Sequence, residues 1–198
     1  MASDAESMVP ALLKDNHIMT KEPSIMKRFA LFASAFAVVA AACTGSPSTP
    51  STPKPTFSAL MQTSNENPPI TGTEAGGTGN STMTFDVTRD ASGNITAAKV
   101  TFVVNLSGFP PGTPIRLSHI HTGGPSVNGA VVIDTGLTPA DPVVLTNGSG
   151  SFTRTVDVPS TAFPIVNQIL ATPSAFYFNS HTLLNPGGVA RGQLDRVQ

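Results

Sequence analysis

From residue 57 onward, apolar and polar positions alternate with a period of two. Met83, Phe85 and Val87 alternate with Thr82, Thr84, Asp86 and Thr88, the pattern of a strand with one buried face. After the turn-forming cluster Asp90-Ala91-Ser92-Gly93-Asn94 the alternation resumes. Val100, Phe102, Val104 and Leu106 fall on one face, Thr101, Val103 and Asn105 on the other. Two such runs about a Gly-containing turn predict a β-hairpin. Further strands are expected at 57–62, 114–121, 129–134, 151–157, 174–181 and 189–197, with Gly/Pro clusters between them. About eight short strands punctuated in this way favour an all-β Greek-key sandwich over a parallel sheet. One segment breaks the period. Ser160 is placed to N-cap a short helix through Leu170, with Pro164 tolerated in its first turn. Ile165, Val166, Ile169 and Leu170 would then face the core; a loop is the alternative.

The preceding residues follow another logic. Lys27-Arg28 leads into an apolar run, 29–42, that ends in Ala40-Ala41-Ala42-Cys43. A basic n-region, a short apolar stretch and small residues at the cut predict a secretory signal. The run is shorter than the ~20 residues that span a bilayer. The Ala triplet and cysteine resemble a bacterial lipobox, with Ala40 where leucine is usual. That resemblance implies lipidation (palmitate-type acylation) of Cys43 and an anchor in the cell envelope. Cleavage by ordinary signal peptidase, giving a secreted protein, is the alternative. Residues 1–25 are polar and precede the n-region, and Met26 is a natural start, so a start assigned too far upstream is expected. His17 lies there and carries no functional weight. Residues 44–56 are a Pro/Ser/Thr tract that cannot bury a core and is expected to be an extended tether. The organisation is therefore leader and signal peptide over 1–42, lipidated cysteine and tether over 43–56, and one domain over 57–198.

Charge and composition remove several function classes. Eleven basic and twelve acidic residues leave a net charge of −1, with no basic run to hold a phosphate backbone, so no nucleic-acid partner is expected. A single cysteine excludes an internal disulfide framework. Signatures of nucleophile elbows, phosphate loops, dinucleotide folds and helical zinc proteases are missing. The domain's carboxylates, Glu66 and Glu74 among them, form no evident acid–base pair.

The three histidines of the domain fall in two similar phrases. Ser118-His119-Ile120-His121-Thr122-Gly123-Gly124 leads to Gly129-Ala130-Val131-Val132. Tyr177-Phe178-Asn179-Ser180-His181-Thr182 leads through Asn185-Pro186-Gly187-Gly188 to Arg191-Gly192-Gln193-Leu194. Residues two apart on a strand share a face, so His119 pairs with His121, and Asn179 with His181. The glycines 123, 124, 187 and 188 are expected to supply positive-φ turns, since they lead into strands rather than a phosphate-binding helix.

These phrases, with Asn65-Glu66-Asn67-Pro68-Pro69 near the start, resemble the chordin-type (CHRD) domain over roughly residues 57–196. Two departures stand out: Ser118 replaces a usual Ala, and Val189-Ala190 occupy the place of an acid and an aliphatic residue. The resemblance implies an immunoglobulin-like Greek-key sandwich or barrel and an extracytoplasmic location. It implies no settled activity. Two readings of the site follow. His119, His121, Asn179, His181, Arg191 and Gln193 form a structural hydrogen-bond network in a binding or structural module of unknown ligand. Alternatively His119, His121 and His181 ligate zinc or copper, in a metal-binding protein or a surface enzyme. Partners expected under the first reading are the membrane, through the lipid anchor, and a protein or cell-surface partner. Phe109, in the loop Phe109-Pro110-Pro111-Gly112, either meets such a partner or packs the loop onto the core.

Overall fold

The computed structural model describes residues 52–198. The leader, the signal segment, Cys43 and residues 44–51 of the tether lie outside the described residues. Eleven strands and one α-helix follow in order: β1 Thr56–Gln62, β2 Thr78–Arg89, β3 Ile95–Ser107, β4 Thr113–Ile115, β5 Leu117–Thr122, β6 Val131–Asp134, β7 Val143–Leu145, β8 Gly150–Asp157, α1 Phe163–Ala171, β9 Phe176–His181, β10 Ala190–Gln193 and β11 Asp195–Arg196. Among the described residues, no helix is long and apolar enough to cross a membrane.

The main sheet runs β6-β5-β9-β10-β1-β2-β3-β8, with β11 paired to the end of β1. Every pairing in it is antiparallel. The sheet curls into a nearly closed barrel, and its two edge strands, β6 and β8, line one shallow cleft with Ile133, Val156 and Val158. The eight strands of this path are the eight that the alternation predicts. Their inner faces make the core: Met83 and Phe85 from β2, Val100, Phe102 and Val104 from β3, Ile120 from β5 and Phe178 from β9 are buried. Phe57 meets Phe85 edge-on at 5.5 Å, and Phe102 stacks on Phe178 at 5.8 Å.

The β2–β3 turn is closed by Asp90, whose Oδ1 accepts from the backbone N–H of Ser92 and Asn94. Gly93 there takes φ +85°, a conformation costly for other residues.

The structure corrects three local expectations and settles a fourth between its two alternatives. The run 114–121 is two strands, because Arg116 leaves the ladder; β4 pairs instead with β7, which the alternation did not mark. Ser160 makes no side-chain cap. It opens a 3-10 turn over 160–162, and α1 starts at Phe163 with Pro164 in its first turn. Val166 and Ile169 are buried and Ile165 and Leu170 half-buried, so the expected face does pack inward. For Phe109 the second of the two expectations holds: it is 5% exposed and packs its loop onto the core. Of the four site glycines, Gly123 and Gly188 take positive φ and Gly124 and Gly187 do not.

Candidate metal centre on the roofed face of the sheet

Most of the barrel wall is buried on its inner side only, but β9 is buried at all six positions and β5 at four of six. Ile120 and Phe178 fill the inner face. The outer face carries His119 and His121 from β5, Tyr177, Asn179 and His181 from β9, and Arg191 and Gln193 from β10. Cross-strand register lines them up in rows. Asp134, His119, Asn179 and Arg191 form one row, and Val131, His121, Tyr177 and Gln193 the next. Side chains in such rows stand ~5 Å apart, within reach of one another.

Three loops roof this outer face. Asn67 donates from its side chain to the Ser126 carbonyl, and Asn128 returns a bond to the Asn67 carbonyl. Buried Glu74 accepts from Thr182 and Asn185, which ties the segment before β2 to the β9–β10 loop. Arg191, 1% exposed, donates to the carbonyls of Gly124 and Val127 and to Asn128 Oδ1. Gln193 Nε2 lies on the carbonyls of Gly123, Ser174 and Phe176. Arg191 and Gln193 therefore clamp backbone rather than join the histidines. The Arg191 guanidinium also lies 3.5 Å from the Tyr177 ring centroid, and the other partner of that ring is His121, parallel at 4.8 Å. That stack holds the imidazole plane still.

Ring nitrogens of His119, His121 and His181 converge, with one donor atom of each within 4.8 Å of the others. The outer nitrogens fix the tautomers. His121 Nδ1 faces the Gly129 carbonyl at 3.0 Å and His181 Nδ1 the Pro186 carbonyl at 2.9 Å. A carbonyl only accepts, so both Nδ1 atoms carry hydrogen and both Nε2 atoms are bare. His119 Nε2 faces the Asp134 carboxylate at 3.5 Å, and its Nδ1 lies 3.1 Å from His181 Nε2.

Hydrogen bonds among the protein groups leave one of these ring nitrogens without a partner. His121 Nε2 is buried with no partner. His181 Nε2 is bare yet sits 3.0 Å from Asn179 Oδ1, another acceptor. Giving His119 Nδ1 the hydrogen caps His181 Nε2, but withdraws the donor from Asp134 and leaves His121 Nε2 as it was. With the hydrogen on His119 Nε2 instead, every ring has an acceptor for its N–H and three lone pairs point together. Metal-ligating histidines show that outer arrangement. Three nitrogens ~2.0 Å from a tetrahedral ion stand roughly 3.3 Å apart; His119 Nδ1 and His181 Nε2 are 3.1 Å apart, and the whole set lies within 4.8 Å.

Electrostatics keeps the imidazoles neutral, as ligation requires. Burial pushes His181 down to about 4, opposed by its bond to Pro186 and reinforced by its two histidine neighbours. Burial also lowers His119, against the pull of Asp134, and lowers His121, against the Gly129 carbonyl and the Asn179 side chain.

The sequence did not mark Glu66, which is 7% exposed. Burial raises its carboxyl to about 7, opposed by the Arg191 charge and a bond from Asn179. Its Oε1 has no partner. Gly188 makes this meeting possible: a Cβ there would lie 2.6 Å from Asn179 Nδ2 and 2.7 Å from Glu66 Oε1. The Asn65-to-Pro69 phrase contains Glu66, but nothing in its spacing places it beside residues more than a hundred positions away. Tyr177 and Asp134 were likewise passed over; their roles appear only once β5 is flanked by β6 and β9.

The fold and this roofed face define an all-β barrel that carries a buried three-histidine cluster outside its hydrophobic core. The family model of the CHRD domain matches residues 57–194, which include every residue of the cluster, and the chain belongs to the CHRD family. No curated protein matches it.

Proposed function

We propose that this CHRD domain is a metal-binding module that holds zinc or copper through His119 Nδ1, His121 Nε2 and His181 Nε2. One observation carries the reading. Three buried lone pairs converge while each opposite ring nitrogen faces an oxygen acceptor. Imidazole suits both ions, and three protein ligands leave a tetrahedral ion one open position. CHRD membership fits a binding or structural module and is compatible with a metal held inside one. Arg191 and Gln193 do the structural part, as loop clamps.

We further propose that the module works outside the cytoplasm, tethered through Cys43 and the Pro/Ser/Thr tract. Support comes from Lys27-Arg28, the apolar run and the Ala triplet before Cys43. An extended tether would hold the barrel away from the lipid surface.

The test is thermal unfolding of the purified chain, without a His tag, in chelator and with each metal. An ion that binds only the folded state stabilises it by RT ln(1 + [M]/Kd), about 2.7 kcal/mol at a hundredfold excess over Kd. For a domain of this size that raises Tm by roughly 10 °C. His121→Ala removes one ligand and abolishes the rise. Identical Tm values for the wild type with and without zinc and copper overturn the metal reading.

A further inference from the structure

Glu66 stands apart from the histidine set. It is not among the residues whose donor atoms converge, yet one side chain links it to them. The Asn179 amide nitrogen and the Glu66 carboxyl crowd the same space beside the Gly188 Cα, and the Asn179 Oδ1 lies 3.0 Å from His181 Nε2. Glu66 Oε1 is buried and unpartnered, and such an acceptor in a native fold calls for a ligand or a water. Glu66 also lines two neighbouring clefts of about 310 and 360 Å³, one bounded by Arg191 and Gln193 and the other by Pro186 and Gly188. It is thus a buried acid that borders both clefts. Gly188 offers no Cβ to separate it from Asn179.

We propose that Glu66 holds a water molecule at the open position of the bound ion, so that a small anion entering there must displace it. The carboxylate accepts the hydrogen bond that an ion-bound water donates, and it repels an anion that would take the water's place. A buried charge acts over several ångströms with little screening. Asn179 is then a positioning residue, turned by the carboxyl on one side and the imidazole on the other. This inference rests on the metal reading above.

The experiment uses the full chain loaded with Cu(II) at pH 8, above the value of about 7 to which burial raises Glu66, with azide as the probe anion followed by its charge-transfer band and by electron paramagnetic resonance. Glu66→Gln keeps the size and removes the charge. It is expected to bind azide at least about tenfold tighter than the wild type, with copper affinity within about threefold, because Glu66 is not a ligand. Gly188→Ala, which drives a methyl group between Asn179 and Glu66, is a second route and should also strengthen azide binding. Glu74→Gln changes the other buried acid of the roof, which bonds to Thr182 and Asn185, and should leave azide affinity unchanged. Equal azide affinity in wild type and Glu66→Gln, both loaded with copper, overturns this inference and leaves the metal site standing. Loss of copper from Glu66→Gln also overturns it, by making Glu66 a ligand. A wild type that takes up no copper overturns this inference, and one that takes up neither copper nor zinc overturns the metal site as well.

Discussion

Lowering the pH of the metal-free protein tests the buried histidines directly. His181 ionises at 6.5 in an ordinary setting and at about 4 in the fold. Its folded value is depressed, so the unfolded chain binds the proton more readily. The stability it contributes is complete above pH 6.5 and is lost as the pH falls toward 4. That gap corresponds to roughly 3 kcal/mol. Glu66 acts with the opposite sign. Its value rises from 4.5 to about 7 on folding, so its contribution is complete below 4.5 and is lost as the pH rises through 7. Between pH 4.5 and 6.5 the two slopes oppose and partly mask each other in the wild type. Glu66→Gln removes the mask. Urea unfolding followed by circular dichroism, in chelator at pH 4, 5, 6 and 7, should show Glu66→Gln gaining stability steeply with pH. The double variant Glu66→Gln/His181→Gln should gain less over the same range, by roughly 3 kcal/mol. Parallel profiles for the single and double variants would refute a buried neutral His181, and with it the electrostatic basis of the site.

Two other outcomes follow from the clamp and the leader. Arg191→Lys should destabilise the domain by about 2–4 kcal/mol in equilibrium unfolding, since an ammonium cannot serve Gly124, Val127 and Asn128 together while stacking on Tyr177; a change within 0.5 kcal/mol would show the clamp to be dispensable. In a bacterial host with lipoprotein processing, the wild type should take up labelled fatty acid and fractionate with membranes. Cys43→Ser should lose both, and an unlabelled, soluble wild type would exclude the anchor.

Strands such as β2 and β3 were legible because one face of each is wet. Met83, Phe85, Val100, Phe102 and Val104 alternate with polar residues, and all five turn inward. The alternation failed at Arg116 and at β7, where three-residue strands are too short to show a period. The sequence by itself also determined that His119 shares a face with His121 and Asn179 with His181, since a strand turns residues two apart the same way. Tertiary structure alone decided that the two faces are one. β5 and β9 are separated by more than fifty residues, and their register, His119 opposite Asn179, comes from ladder bonds that no local pattern encodes. The same holds for the roof. Glu66 reaches Asn179 only because Gly188 leaves room, and its carboxyl is unusual only because distant loops exclude water from it. Periodicity reports whether a residue faces inward or outward. Convergence of three imidazoles and one carboxyl depends on pairings between distant segments, and those are set by the closing of the barrel.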